Sequence, residues 1–165
     1  MKKISILILV LLVSVVTIIS GCDSKELSSK QLEQQRINLY VEVMKSVFQE
    51  ENGGNDFIAI KLETLEGLSS EGKDIMLESF KDLTSNVYDF EDVKDDESKF
   101  EFDGKDRLGA IDGSLLWIDI EEYEDKNAKI IGTSWFGNLG SVSIEYDATL
   151  KNGKWNLTEV SKSIS

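Results

Sequence analysis

The chain contains no histidine and no proline, and it has a single cysteine. Without histidine, Ser-His-Asp and Cys-His nucleophilic catalysis are excluded, as are the usual histidine-bearing zinc sites. One cysteine makes no internal disulfide, so packing alone must hold the fold. Positive charge is scarce too, with 18 lysines and arginines against 31 aspartates and glutamates. A surface this acidic is repelled by phosphate backbones and anionic head groups, which argues against a nucleic-acid partner. What is present is a 165-residue chain, 41% hydrophobic and 30% charged. That is the balance of a globular chain rather than a disordered one, and it suffices for one domain of ordinary size.

The longest apolar run lies at the start. Met1-Lys2-Lys3 is a short positive segment, and Ile4 to Ile19 then runs without a charge. As a helix these residues span roughly 24 Å, short of a ~30 Å hydrocarbon core. The length suits the hydrophobic region of a signal peptide better than a permanent span. Ser20-Gly21 then places small residues ahead of the only cysteine, Cys22.

The segment Ile19-Ser20-Gly21-Cys22 resembles the lipobox of bacterial lipoproteins, with Ile19 where the family favours leucine. The resemblance implies a diacylglycerol thioether on Cys22 and cleavage in front of it. It further implies a location at the cell membrane, facing the extracytoplasmic side. The alternative is an uncleaved membrane helix followed by a free thiol, and it too puts the domain outside the cytoplasmic membrane. Removing Met1 to Gly21 takes away Lys2 and Lys3 and no acid, so 18 basic side chains become 16 against 31 acids, a formal charge of −15. Attachment must therefore come from lipid, where each buried methylene is worth about 0.8 kcal/mol, rather than from charge. The organisation expected is a signal peptide over 1–21, a lipidated cysteine with a polar tether over 22–30, and one domain over 31–165.

Ser28 followed by Gln31 reads as a capping box, and Leu32, Ile37, Tyr40, Val41, Met44, Val47 and Phe48 recur at helical spacing. A helix over about Gln31 to Glu50 follows, ended by Gly53-Gly54. Phe57 to Leu65 fits a strand or a helix. A shorter helix over Glu71 to Leu83, capped by Ser69 or Ser70, is expected to bury Ile75, Leu77 and Phe80 or their neighbours. Asn86 to Val93 reads as a strand or an extended loop.

From Phe100 onward the apolar period becomes two, with turns at Asp103-Gly104-Lys105, Glu124 to Asn127, Gly137 to Gly140 and Asn152-Gly153. The expected class is α+β, with N-terminal helices packed on a curved antiparallel meander. This layout resembles the cystatin-like and NTF2-like folds. Glu50 to Asn55, Asn86-Val87-Tyr88 and Ser134 to Gly140 further look like segments of a group of bacterial proteins with no assigned activity.

Several residue sets invite chemistry. The acids Asp89, Glu91, Asp92, Asp95, Asp96, Glu97, Glu101, Asp103 and Asp106 suggest calcium, yet neither Asp92 nor Asp103 starts an EF-hand pattern, so a solvated edge is the expectation. Glu121, Glu122 and Glu124, with Glu145 and Asp147, occupy the polar positions of alternating strands, where exposure is the default. The sequon Asn156-Leu157-Thr158 sits inside a strand and reads as accidental. No cofactor or metal is indicated. The aromatic set Trp117, Trp135, Phe136, Tyr146 and Trp155 lies wholly in the sheet half, and Trp135-Phe136 sends rings to both faces of one strand. Trp117, Trp135, Phe136 and Tyr146 are the candidate contacts for a ligand or partner in a cleft between helix and sheet.

The expected function is a non-enzymatic envelope lipoprotein that binds a protein or a small molecule. A carboxylate-dependent enzyme in an NTF2-like pocket, and an immunity or structural partner protein, are the rivals.

Overall fold

The computed structural model describes residues 28–165. The expected signal peptide, the lipobox-like segment with Cys22 and the expected tether up to residue 27 lie outside the described residues. Among the described residues no helix is long and apolar enough to cross a membrane.

Helix α1 covers Ser29–Glu50. Ser28 is its N-cap, with both halves of the capping box formed: the Gln31 amide donates to Ser28 Oγ and the Ser28 amide donates to Gln31 Oε1 at 3.0 Å. The last three tether positions, Ser28 to Lys30, are thus the cap and first turn of the helix. Strand β1 (Phe57–Ile60) and a 3-10 turn (Leu62–Thr64) share the ambiguous segment. All four β1 residues are buried, so neither a period of two nor one of 3.6 can appear in them. Helix α2 (Ser70–Glu78) is capped by Ser69 and is shorter than expected. It buries Met76, with Phe80 just beyond its end, and leaves Ile75 37% exposed.

Asn86 to Val93 divides into β2 (Val87–Asp89) and a one-turn helix α3 (Phe90–Val93). Then follow β3 (Phe100–Asp103), β4 (Asp106–Ala110), β5 (Gly113–Tyr123), β6 (Asn127–Gly137), β7 (Gly140–Lys151) and β8 (Lys154–Ile164). Asn152 and Gly153 both take positive φ (53° and 76°), as a two-residue hairpin turn between twisted strands requires.

The class is α+β, with one mixed, mostly antiparallel sheet. Strands β5 to β8 form the antiparallel meander. The sheet does not stop at β5: β1 pairs parallel to β5, and β2 parallel to β1. The long Lys61–Asn86 crossover, with α2 inside it, is what permits that parallel return. The β3–β4 hairpin joins the end of β6 through Gly109 opposite Gly137.

Alternation along each strand divides the core between two faces. On the front, Leu39, Tyr40, Val43, Met44 and Val47 of α1 meet Leu116, Ile118, Ile130, Ile144 and Tyr146. Helix and sheet approach closely there, since a Cβ on Gly132 would lie 2.6 Å from Val43 Cγ1. On the back, Phe57, Ala59 and Leu115 pack against Phe90, Val93 and Phe100. Phe57 and Phe90 stand edge-on to Phe100, with centroids 5.5 and 6.1 Å away. The back of β7 and β8 carries no such layer and presents Ser143, Glu145 and Asp147.

Candidate functional site

The fold brings Trp117 and Trp135 to one face and separates them from Tyr146 and Phe136. Trp117 and Trp135 sit on the back of β5 and β6, partly buried beside Leu115 and Phe102. Lys61 Nζ lies 4.3 Å from the centroid of the Trp117 ring. Tyr146 is on the other face, 4% exposed, with its hydroxyl 2.8 Å from Ser46 Oγ under α1. Burial raises its pKa, so it is a neutral core phenol. Phe136, at the irregularity between Trp135 and Gly137, lies against Gly53 and Gly140, where an added Cβ would come within 2.4 and 2.5 Å of it. The register explains the division: residues an odd number apart on regular strands point to opposite faces.

The interior between α1 and the sheet is filled. Tyr40, Val43, Met44, Val47, Leu116 and Ile130 are all fully buried. Surface hollows of about 290, 300, 400 and 440 Å³ are among those that open on the described residues, and none of these is lined by Trp117, Trp135, Phe136 or Tyr146.

The 290 Å³ hollow lies at the end of the meander where β5 turns into β6. Glu122, Glu124 and Asp147 line it, with Lys129 between Glu122 and Asp147 in the cross-strand row. These carboxylates are exposed to water. Glu145 is partly buried and accepts from Ser161 Oγ at 2.9 Å.

Three of the acids between Asp89 and Asp106 serve local structure. Asp89 caps α3 by accepting from the Glu91 amide, and Glu91 pairs with Lys94 at 2.7 Å. Asp96 accepts from the Ser98 hydroxyl and amide and pairs with Lys99, which together lower its pKa to about 2. Among the described residues no three acids or cysteines are placed to hold a metal ion. Arg107 crosses this region under the rings of Phe90 and Phe100, at 4.7 and 4.9 Å, and burial lowers its pKa.

The 400 Å³ hollow is a shallow site at the β3–β4 turn, lined by Asp95, Glu97, Phe102, Gly104 and Lys105. A groove between α1 and β8 is made of two adjoining hollows of about 300 and 440 Å³. Gln34, Ile37, Asn38, Val41, Glu42, Lys45 and Gln49 form one wall, a stripe at helical spacing. Lys154, Trp155, Asn156 and Leu157 of β8 form the other. Trp155 joins the walls, its indole nitrogen donating to the Gln35 carbonyl at 2.8 Å. Glu42 and Trp155 line both hollows. Lys45 is held by Asp82 at 2.8 Å, whereas Glu42 has no ion pair among the described residues.

Sequence reading missed this groove because its polar wall looked like the solvated back of an amphipathic helix. The available signal was Trp155, a large aromatic beginning the last strand directly after the Asn-Gly turn.

What fold and groove define is the class, an α+β domain with one open helix–strand cleft at a sheet edge. No protein-family model, curated protein or solved structure matches the chain.

Proposed function

We propose that the chain is the precursor of a bacterial lipoprotein, held by lipid on Cys22 at the outer face of the cytoplasmic membrane. In this reading the domain is a non-enzymatic module that binds a partner at the cell envelope. The observation that carries it is Ile19-Ser20-Gly21-Cys22 directly behind a basic start and an uncharged apolar run. Five residues separate Cys22 from the helix cap at Ser28, so in this reading the domain would be held within about 20 Å of the lipid surface. A long first helix crossing a coiled meander supports a cystatin-like or NTF2-like fold, to which the parallel β1–β2 pair would be an addition. Binding is assigned to the α1–β8 groove rather than to an internal cavity.

The test is the intact mass of the protein purified from its host membranes. The expected chain starts at Cys22 and carries the added mass of a diacylglycerol, and Cys22→Ser abolishes both processing and membrane retention. An intact Met1 with a free thiol would overturn the reading.

A further inference from the structure

The α1–β8 groove lies beside an open sheet edge, and the two features together specify a kind of occupant. β8 pairs only with β7 among the described strands, so its outer edge offers free amide and carbonyl groups. That edge is regular only in its first half. Between Tyr146 opposite Glu159 and Glu145 opposite Ser161 the register shifts, leaving Val160 as an extra residue. Past this bulge Lys162 turns back to pair with Glu50. The usable edge therefore runs from Lys154 to Glu159, beside the part of the groove lined by Lys154 to Leu157.

We infer that this edge accepts an extended segment of a partner protein as a ninth strand of about five to seven residues, whose inward side chains enter the groove. Main-chain pairing supplies the attraction and the two hollows select alternate side chains. The row facing α1 is Trp155, Leu157 and Glu159. Strand partners directly opposite share a face, so the guest presents two apolar residues and then a basic one, spaced by two. Glu42, on the helix above, lines both hollows beside Trp155 without an ion pair among the described residues, so it adds a second acidic group that favours basic character in the guest. A second copy of this chain is disfavoured, since two bodies each carrying a formal −13 repel. The inference deepens the binding role proposed above and rests on it, but does not need the lipid on Cys22.

The probe is the heptapeptide Lys-Thr-Val-Thr-Val-Thr-Lys, which reads alike in either direction, added to the full-length protein in detergent. Hydrogen exchange of the amides of residues 154–159 is expected to slow. Of two analogues, N-methylated at the valines or at the threonines, the one whose methyl groups face β8 loses about tenfold or more in affinity and the other keeps it. Leu157→Asp removes binding, and Glu42→Gln weakens it without altering the fold seen by circular dichroism. Equal binding of both analogues, protection elsewhere in the sheet, no binding at millimolar peptide, or β8-mediated dimers that exclude the peptide would each overturn the proposal. The intact mass of the same sample reports the state of Cys22 separately.

Discussion

Tyr146 and Trp155 show how one polar atom decides what an aromatic side chain is for. The Tyr146 hydroxyl is satisfied by Ser46 inside the domain, so the ring has no unmet demand to offer a partner. Tyr146→Phe should cost about 1 kcal/mol in chemical denaturation and leave peptide binding at β8 unchanged. Trp155 also spends its N–H internally, on Gln35, yet its ring forms groove wall on both sides. Among the acids, Asp96 is the one whose charge is set most strongly by its neighbours, with Ser98 the largest influence. Because its folded pKa lies near 2, below the ordinary 3.8, its stabilisation is complete above about pH 4 and is lost as pH falls through 2. Carboxyl titration followed by NMR should give that low midpoint, and Ser98→Ala should move it back toward 3.8. An unchanged midpoint would refute the assigned cause.

At the scale of elements, α1 was legible because cap, period and terminator agree on it. Ser28→Ala should lower stability by about 1 kcal/mol, measured by thermal or urea unfolding, by removing the cap. The meander was legible for a similar reason: β7 alternates cleanly, and Asn152-Gly153 sets the last turn. Strand β1 was not, because burial on both faces erased its period. Nor was the parallel placement of β1 and β2, which depends on where the chain lands after its crossover. The approach of α1 to β6 was equally hidden, since Gly132 in a strand reads only as a weak position. Gly132→Val should overpack that contact and cost about 1–3 kcal/mol, visible as a lower urea midpoint. A neutral effect would mean that helix and sheet are not in tight contact at that point.

For the whole molecule, the two core clusters share strands. Ile58 and Ile60 face one way from β1 while Phe57 and Ala59 face the other, and Leu116 and Leu115 repeat the arrangement on β5. Neither cluster can dissolve without loosening the strands that hold the other, so unfolding should be one cooperative transition. Tryptophan fluorescence, which samples the back through Trp117 and Trp135 and the front through Trp155, should melt together with far-ultraviolet dichroism. Separate midpoints would show that the back layer comes away alone.

Local chemistry sufficed for the capped helix, the meander and the acidic composition, because period, charge and turn geometry act between residues close in the chain. Only the tertiary structure decided which face each tryptophan occupies and that the helix–sheet interior is solid. It also decided that an open strand edge lies beside a groove under α1, because these depend on contacts between segments as far apart as Gln35 and Trp155.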